Sequence, residues 1–178
     1  MNNKGFSLIE LIVVIAIMTT ITGTLALGVS VMFSKDAERC ATRLNDAIYT
    51  TRMENMSKIG DFVLTVKTDD GTSDGKCIAI IDKAGVSQTI YLDGDSGKRT
   101  TINPIFTDES GVETSLTLPV NIKFHKAKGN VVSITAGGTE YTDPVGILTF
   151  DISALRGNKE SKVQLITTTG KHTVGEFQ

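Results

Sequence analysis

Glu10 is an acid in unfavourable surroundings, five residues into a hydrophobic segment, with Leu8-Ile9 before it and Leu11-Ile12-Val13-Val14-Ile15 after it. Insertion scales put a charged side chain at the centre of a bilayer at roughly 2.5 to 3.5 kcal/mol, so a carboxylate here needs a compensating cation. Phe6 lies four residues upstream, about 6 Å along a helix. The Gly5-Phe6 bond follows Lys4. Cutting it would create an α-amino group with a pKa of roughly 7.7 to 8.0, mostly cationic at neutral pH. That amine would lie close in depth to Glu10 of a neighbouring copy, and two staggered copies could cancel each other's buried charge. The chemistry these residues suggest is proteolysis followed by charge pairing between protomers.

Other reactive side chains are less suggestively placed. Cys40 and Cys77 could close a loop as a disulfide in an oxidising exterior, contributing on the order of 3 to 4 kcal/mol; equally, both could stay reduced as small buried hydrophobes. Asp69-Asp70-Gly71-Thr72-Ser73-Asp74-Gly75 and Asp93-Gly94-Asp95-Ser96-Gly97 cluster oxygen ligands. Neither completes a calcium-binding helix-loop-helix loop, which also requires a closing Glu, so solvated turns are expected there and no metal. His125 and His172 lack a Cys or His partner at metal spacing. No nucleophile elbow G-x-S-x-G occurs, and the glycines before Lys76 and Lys98 do not form a phosphate loop. Neither a catalytic role nor a cofactor is expected. Arg156, Lys159, Lys162, Lys171 and His172 gather near the C-terminus, diluted by Glu160 and Glu176. They could neutralise phosphates of DNA, or they could be a charged strand edge that discourages pairing with other chains.

The elements that must position these residues follow from periodicity. From Leu11 to Ser34 there is no Asp, Glu, Lys, Arg or His, and as a helix this run reaches roughly 36 Å, enough to span a hydrocarbon core. It is too long for the apolar core of a secretory signal peptide. A plain signal anchor would leave Glu10 unexplained. Lys4 and the initial amine precede the run, while a mixed set, Lys35, Asp36, Glu38 and Arg39, follows it, so the N-terminus is expected in the cytoplasm and the bulk of the chain outside. From Lys35 onward the pattern turns amphipathic, with Phe33, Ala37, Cys40, Leu44, Ala47, Ile48 and Thr51 on one face and Met56 expected to continue it. The helix should run to about Lys58, stopped by Gly60. Short β-like runs follow at 62–66, 77–81, 89–92, 116–118, 120–124, 131–134, 147–150, 162–166 and 172–174, separated by turn residues. The expected fold class is α+β, a long N-terminal transmembrane and amphipathic helix packed on an antiparallel β-sheet head. With 178 residues and a net charge of −2, the chain suits one globular head and gives no reason to expect non-specific nucleic-acid binding by its whole surface.

Lys4-Gly5-Phe6-Ser7-Leu8-Ile9-Glu10-Leu11, followed by Ile12-Val13-Val14-Ile15-Ala16-Ile17-Met18, resembles the prepilin leader and helix start of the type IV pilin and pseudopilin family. The resemblance implies a leader of residues 1–5 removed at Gly5-Phe6 by a prepilin peptidase, N-methylation of Phe6, and a role for Glu10 in registering subunits. It further implies a transmembrane and filament-core helix over 6–34, an amphipathic half over 35–60 and a β-rich head over 61–178. The partners implied are other pilin or pseudopilin subunits, the peptidase, an assembly platform protein and the membrane. The family often has a helix-kinking proline that this chain lacks; Gly23 and Gly28 would supply pliancy instead. More loosely, Leu44-Asn45-Asp46-Ala47-Ile48 with Arg52, then Gly146-Ile147-Leu148-Thr149-Phe150 and a hairpin at Thr169-Gly170, resemble H-type minor pseudopilins and T-type minor pilins. Certain minor pilins with similar tails bind DNA, which gives Arg156, Lys159, Lys162 and Lys171 an alternative role. The function implied is a structural subunit of a pilus or secretion pseudopilus.

Overall fold

A computed structural model describes residues 8–57, 60–69, 71, 75–83, 85–94, 97, 99–155 and 159–176, excluding the side chains of 24–34 and 176. Gly5, Phe6 and Arg156, together with parts of both acidic loops, lie outside the described residues. The chain divides into two compact units, Met1–Phe33 and Ser34–Gln178. One helix, α1 (Leu8–Ser57), enters both, and eleven strands follow it: β1 (Phe62–Thr68), β2 (Cys77–Lys83), β3 (Val86–Tyr91), β4 (Thr100–Asp108), β5 (Glu113–Ser115), β6 (Val120–Phe124), β7 (Val131–Ala136), β8 (Thr139–Thr142), β9 (Gly146–Ala154), β10 (Glu160–Ile166) and β11 (His172–Glu176).

The strands form two antiparallel sheets, one ordered β3-β2-β1-β6-β7-β8 and the other β11-β10-β9-β4-β5. Each central strand alternates with period two, as a half-buried strand must. In β1, Phe62, Leu64 and Val66 point inward; in β9, Leu148, Phe150 and Ile152 do; in β10, Val163 and Leu165. The register sets Leu64 opposite Ile81 and Val66 opposite Ala79, so buried side chains meet across the ladder. These inward faces share one core with a stripe of α1: Ala37, Cys40, Ala41, Leu44, Ala47 and Ile48. The α+β class, a helix on antiparallel sheets, follows from burial at both periods in one cluster.

Several expectations need correction. The stripe does not end on Met56, which is 42% exposed; the buried position is Asn55 at 3%. Asn55 continues the row Leu44, Ile48, Thr51 at spacings of four, three and four, whereas Met56 is rotated about 100° off it. The polar residue is accepted because its Nδ2 donates to the Phe124 carbonyl and its Oδ1 lies 3.5 Å from the Phe62 amide. Strand β4 lies outside the expected runs and carries Pro104 in its middle. Its carbonyl accepts from the Leu116 amide at 2.9 Å, and the carbonyl and nitrogen of a strand residue face the same side. The missing N–H therefore points past the end of β5, where no ladder bond is needed. Strand β8 was likewise missed, because Thr139-Glu140-Tyr141-Thr142 is mostly exposed and lacks an apolar alternation. Residues 116–118 form no strand, and β3 is shifted to residues 86–91.

Candidate functional site

The described part of the apolar run, residues 8–23, has no buried side chain. Leu8 is 78% exposed, Met18 65% and even Val14 46%, with Ile9, Leu11, Ile12, Val13, Ile15, Ile17 and Ile21 between these extremes or close to them. A helix that is hydrophobic all round is normally enclosed by protein or by lipid. Its polar side chains are prepared for the same surroundings. The Thr19 hydroxyl donates to the Ala16 carbonyl at 2.9 Å, Thr20 to Ile17 at 2.8 Å and Thr22 to Met18 at 2.6 Å. Each hydroxyl is satisfied within the helix, so it carries no unmet donor into an apolar medium. Glu10 lies in the first turn of α1, is exposed, and is the acid of that turn. Among the described residues no helix is long and apolar enough to cross a membrane. Residues 8–23 reach roughly 24 Å, and the continuation over 24–33 is read from the sequence.

Residues 1–26 match the family model of the prokaryotic N-terminal methylation motif. The match supports type IV pilin or pseudopilin kinship at the N-terminus, where Glu10 and the exposed apolar surface lie. No curated protein and no solved structure matches the chain. The motif ends before the head, so the head must be judged on its own geometry.

Within the head, a polar cluster is buried between α1 and the sheets. Cys40 and Cys77 are not joined by a disulfide, and both are buried. Thr100 joins them: its Oγ1 lies 3.4 Å from Cys40 Sγ, and its carbonyl accepts from Cys77 Sγ at 3.6 Å. The same hydroxyl lies 2.5 Å from Asp93 Oδ1. It has one proton to give, and the carboxylate at the shorter distance takes it. Asp93 Oδ2 accepts the Cys77 amide at 2.9 Å, so both carboxylate oxygens are committed. Asp93 was read in the sequence as a turn residue with ligand potential; its actual work is structural. Burial pushes the Cys40 thiol up to about 12, with Cys77 and Asp93 adding to the rise and Arg43 opposing it. A protonated, inaccessible thiol is a poor nucleophile. Among the described residues no group of three His, Cys, Asp or Glu could hold a metal ion.

The far end of α1 is clasped to two loops by Arg52. Its Nε donates to the Gly129 carbonyl at 3.0 Å and its Nη2 to the Thr169 carbonyl at 3.2 Å. Helical periodicity gives no sign of this clasp, since its acceptors lie 77 and 117 residues away.

The C-terminal basic residues are not brought together. Lys159 immediately precedes β10 and Lys171 immediately precedes β11, at opposite ends of that hairpin, because Ser161 is opposite Glu176 and Leu165 opposite His172. Six strand residues separate the two ends, roughly 20 Å. Lys162 is engaged with Asp151 at 3.2 Å. His172 faces the Tyr49 ring at 6.0 Å, and Arg156 lies outside the described residues.

Proposed function

We propose that this chain is a structural subunit, with minor status, of a type IV pilus or a type II secretion-like pseudopilus. The observation that carries this reading is the helix of residues 8–23, apolar and exposed on every side, with one acid in its first turn. A prepilin peptidase cuts at Gly5-Phe6, Phe6 becomes N-methylated, and the helix rests in the membrane with the N-terminus cytoplasmic. An assembly platform then transfers the helix into a bundle of sibling subunits, where the same apolar surface is enclosed by protein. Glu10 meets the Phe6 amine of a neighbouring subunit and sets its axial position. The head decorates the exterior and carries no catalytic role. The likeness of its helix end and of Gly146–Phe150 to H-type and T-type minor subunits supports the minor assignment. Dispersal of Lys159, Lys162 and Lys171 gives the DNA-binding alternative no continuous track.

The test is intact-mass measurement of the chain produced with and without a prepilin peptidase. The expected product lacks residues 1–5 and carries one added methyl group on Phe6. A product that retains Met1 to Gly5 in the presence of active peptidase overturns the assignment.

A further inference from the structure

A cavity of about 220 Å³ opens on the head where α1 meets the segment between β3 and β4. Three arginines line it: Arg39 and Arg43 from the helix and Arg99 from the segment before β4. On the adjoining face, Lys35, Arg39 and Arg43, together with Glu38 and Thr42, border a second, shallower hollow. Their spacing of four places these cations in one column, an arrangement that is unfavourable by itself because like charges at that spacing repel. Two acids stand against three arginines in the cavity and relieve it only in part. Asp93 gives its two oxygens to the Cys77 amide and the Thr100 hydroxyl, and Asp36 pairs with Arg99 at 3.3 Å. Arg39 makes no hydrogen bond or ion pair among the described residues.

Two of the three guanidinium groups are also held in place. Arg43 Nη1 donates to the Tyr91 carbonyl at 3.0 Å and lies 3.4 Å from that of Leu92. Both bonds use the same nitrogen, so Nη2 and Nε remain available. Gly94, with φ of +78°, permits this approach, since a Cβ there would stand 3.1 Å from Arg43 Nη1. Asp36, nearly buried, fixes Arg99. Preorganised guanidinium forks in a small concavity match the geometry of a phosphate group.

We infer that this notch binds a phosphate-bearing anion, and that its source is the phosphodiester headgroup of an anionic membrane lipid. The source, though not the site, rests on the membrane-anchored reading: Lys35 is the first charged residue after the apolar run, and Arg39 and Arg43 follow one and two turns later. Basic residues next to an anionic membrane surface gain about fivefold in affinity each. The notch would hold the subunit against the lipid surface before assembly and release the headgroup on extraction.

The experiment uses the full chain in zwitterionic detergent with nitrogen-labelled arginine. It is titrated separately with soluble dihexanoylphosphatidylglycerol, its phosphatidylcholine counterpart and inorganic phosphate, while the Nε resonances are followed. Saturable shifts of Arg39 and Arg43 are expected with phosphatidylglycerol, with binding at least about fivefold weaker in Arg39→Gln and partly restored in Arg39→Lys. Arg39 is exposed and unengaged, so neither variant should disturb folding. Equal binding of inorganic phosphate supports the site and assigns it to free phosphate instead of lipid. Absence of saturable shifts with either anion, or equal shifts with phosphatidylcholine, overturns the proposal. Co-flotation with neutral vesicles reports anchoring independently, so failure of the anchor and failure of the notch are distinguishable.

Discussion

Alkaline pH should loosen the head through one thiol. Cys40 is fully buried, and its pKa rises from 9.0 to about 12, chiefly because burial penalises the thiolate. Above pH 9.0 the unfolded chain gives up the Cys40 proton while the folded chain keeps it. The unfolded state then binds fewer protons, and stability falls as pH rises. The contribution is intact below pH 9 and is lost progressively between 9 and about 12. At about 1.36 kcal/mol per pH unit, moving to about pH 10.5 costs about 2 kcal/mol. Alkaline pH acts on the whole chain and not on one thiol alone, so the informative quantity is a difference. Cys40→Ala removes this titration and introduces a cavity penalty that does not depend on pH. Urea unfolding of the full chain in zwitterionic detergent, followed by circular dichroism, should show wild type more stable near pH 7.5. The gap should shrink by about 2 kcal/mol near pH 10.5. Parallel pH profiles for the two proteins would refute the reasoning, because they would mean the thiol titrates alike in both states.

Further outcomes are expected from the clasp and the helix. Arg52→Ala should destabilise the head by roughly 1.5 to 3 kcal/mol in the same urea assay, since two loop carbonyls lose a charged donor. Gly170→Ala should cost more than about 2 kcal/mol: its φ is +65° and a Cβ would stand 1.9 Å from the Gly129 carbonyl oxygen, a backbone atom with little room to retreat; an unchanged urea midpoint would count against the close approach. Glu10→Gln should leave the urea midpoint of the head unchanged but reduce recovery of the subunit in sheared filaments at least about tenfold, the loss expected from about 1.4 kcal/mol of registration energy. Chelator should not shift thermal unfolding, because Asp93 is already spent on Cys77 and Thr100.

Local chemistry was legible where neighbours in sequence are neighbours in space. The apolar run, the misplaced Glu10, the amphipathic stripe from Ala37 to Thr51 and most strands announce themselves through periods of 3.6 and 2, which backbone geometry alone imposes. Met56 was misjudged because a stripe near a helix end has few repeats left to fix its phase. Strand β4 is not legible in this way, because the cost of Pro104 depends on which neighbour its nitrogen faces, a property of sheet order and not of the strand's own sequence.

The amino-acid sequence by itself determined that an apolar helix bearing one acid precedes a β-rich head, because charge spacing and hydrophobic periodicity are one-dimensional properties. The tertiary structure decided which polar groups are committed and which are left over. Only folding brings Thr100 and Asp93 to the two cysteines, carries the Gly129 and Thr169 carbonyls to Arg52, and sets Arg99 beside Arg39 and Arg43. Those contacts join residues tens of positions apart, and their energies depend on burial and on distances that exist only once both sheets close over the helix.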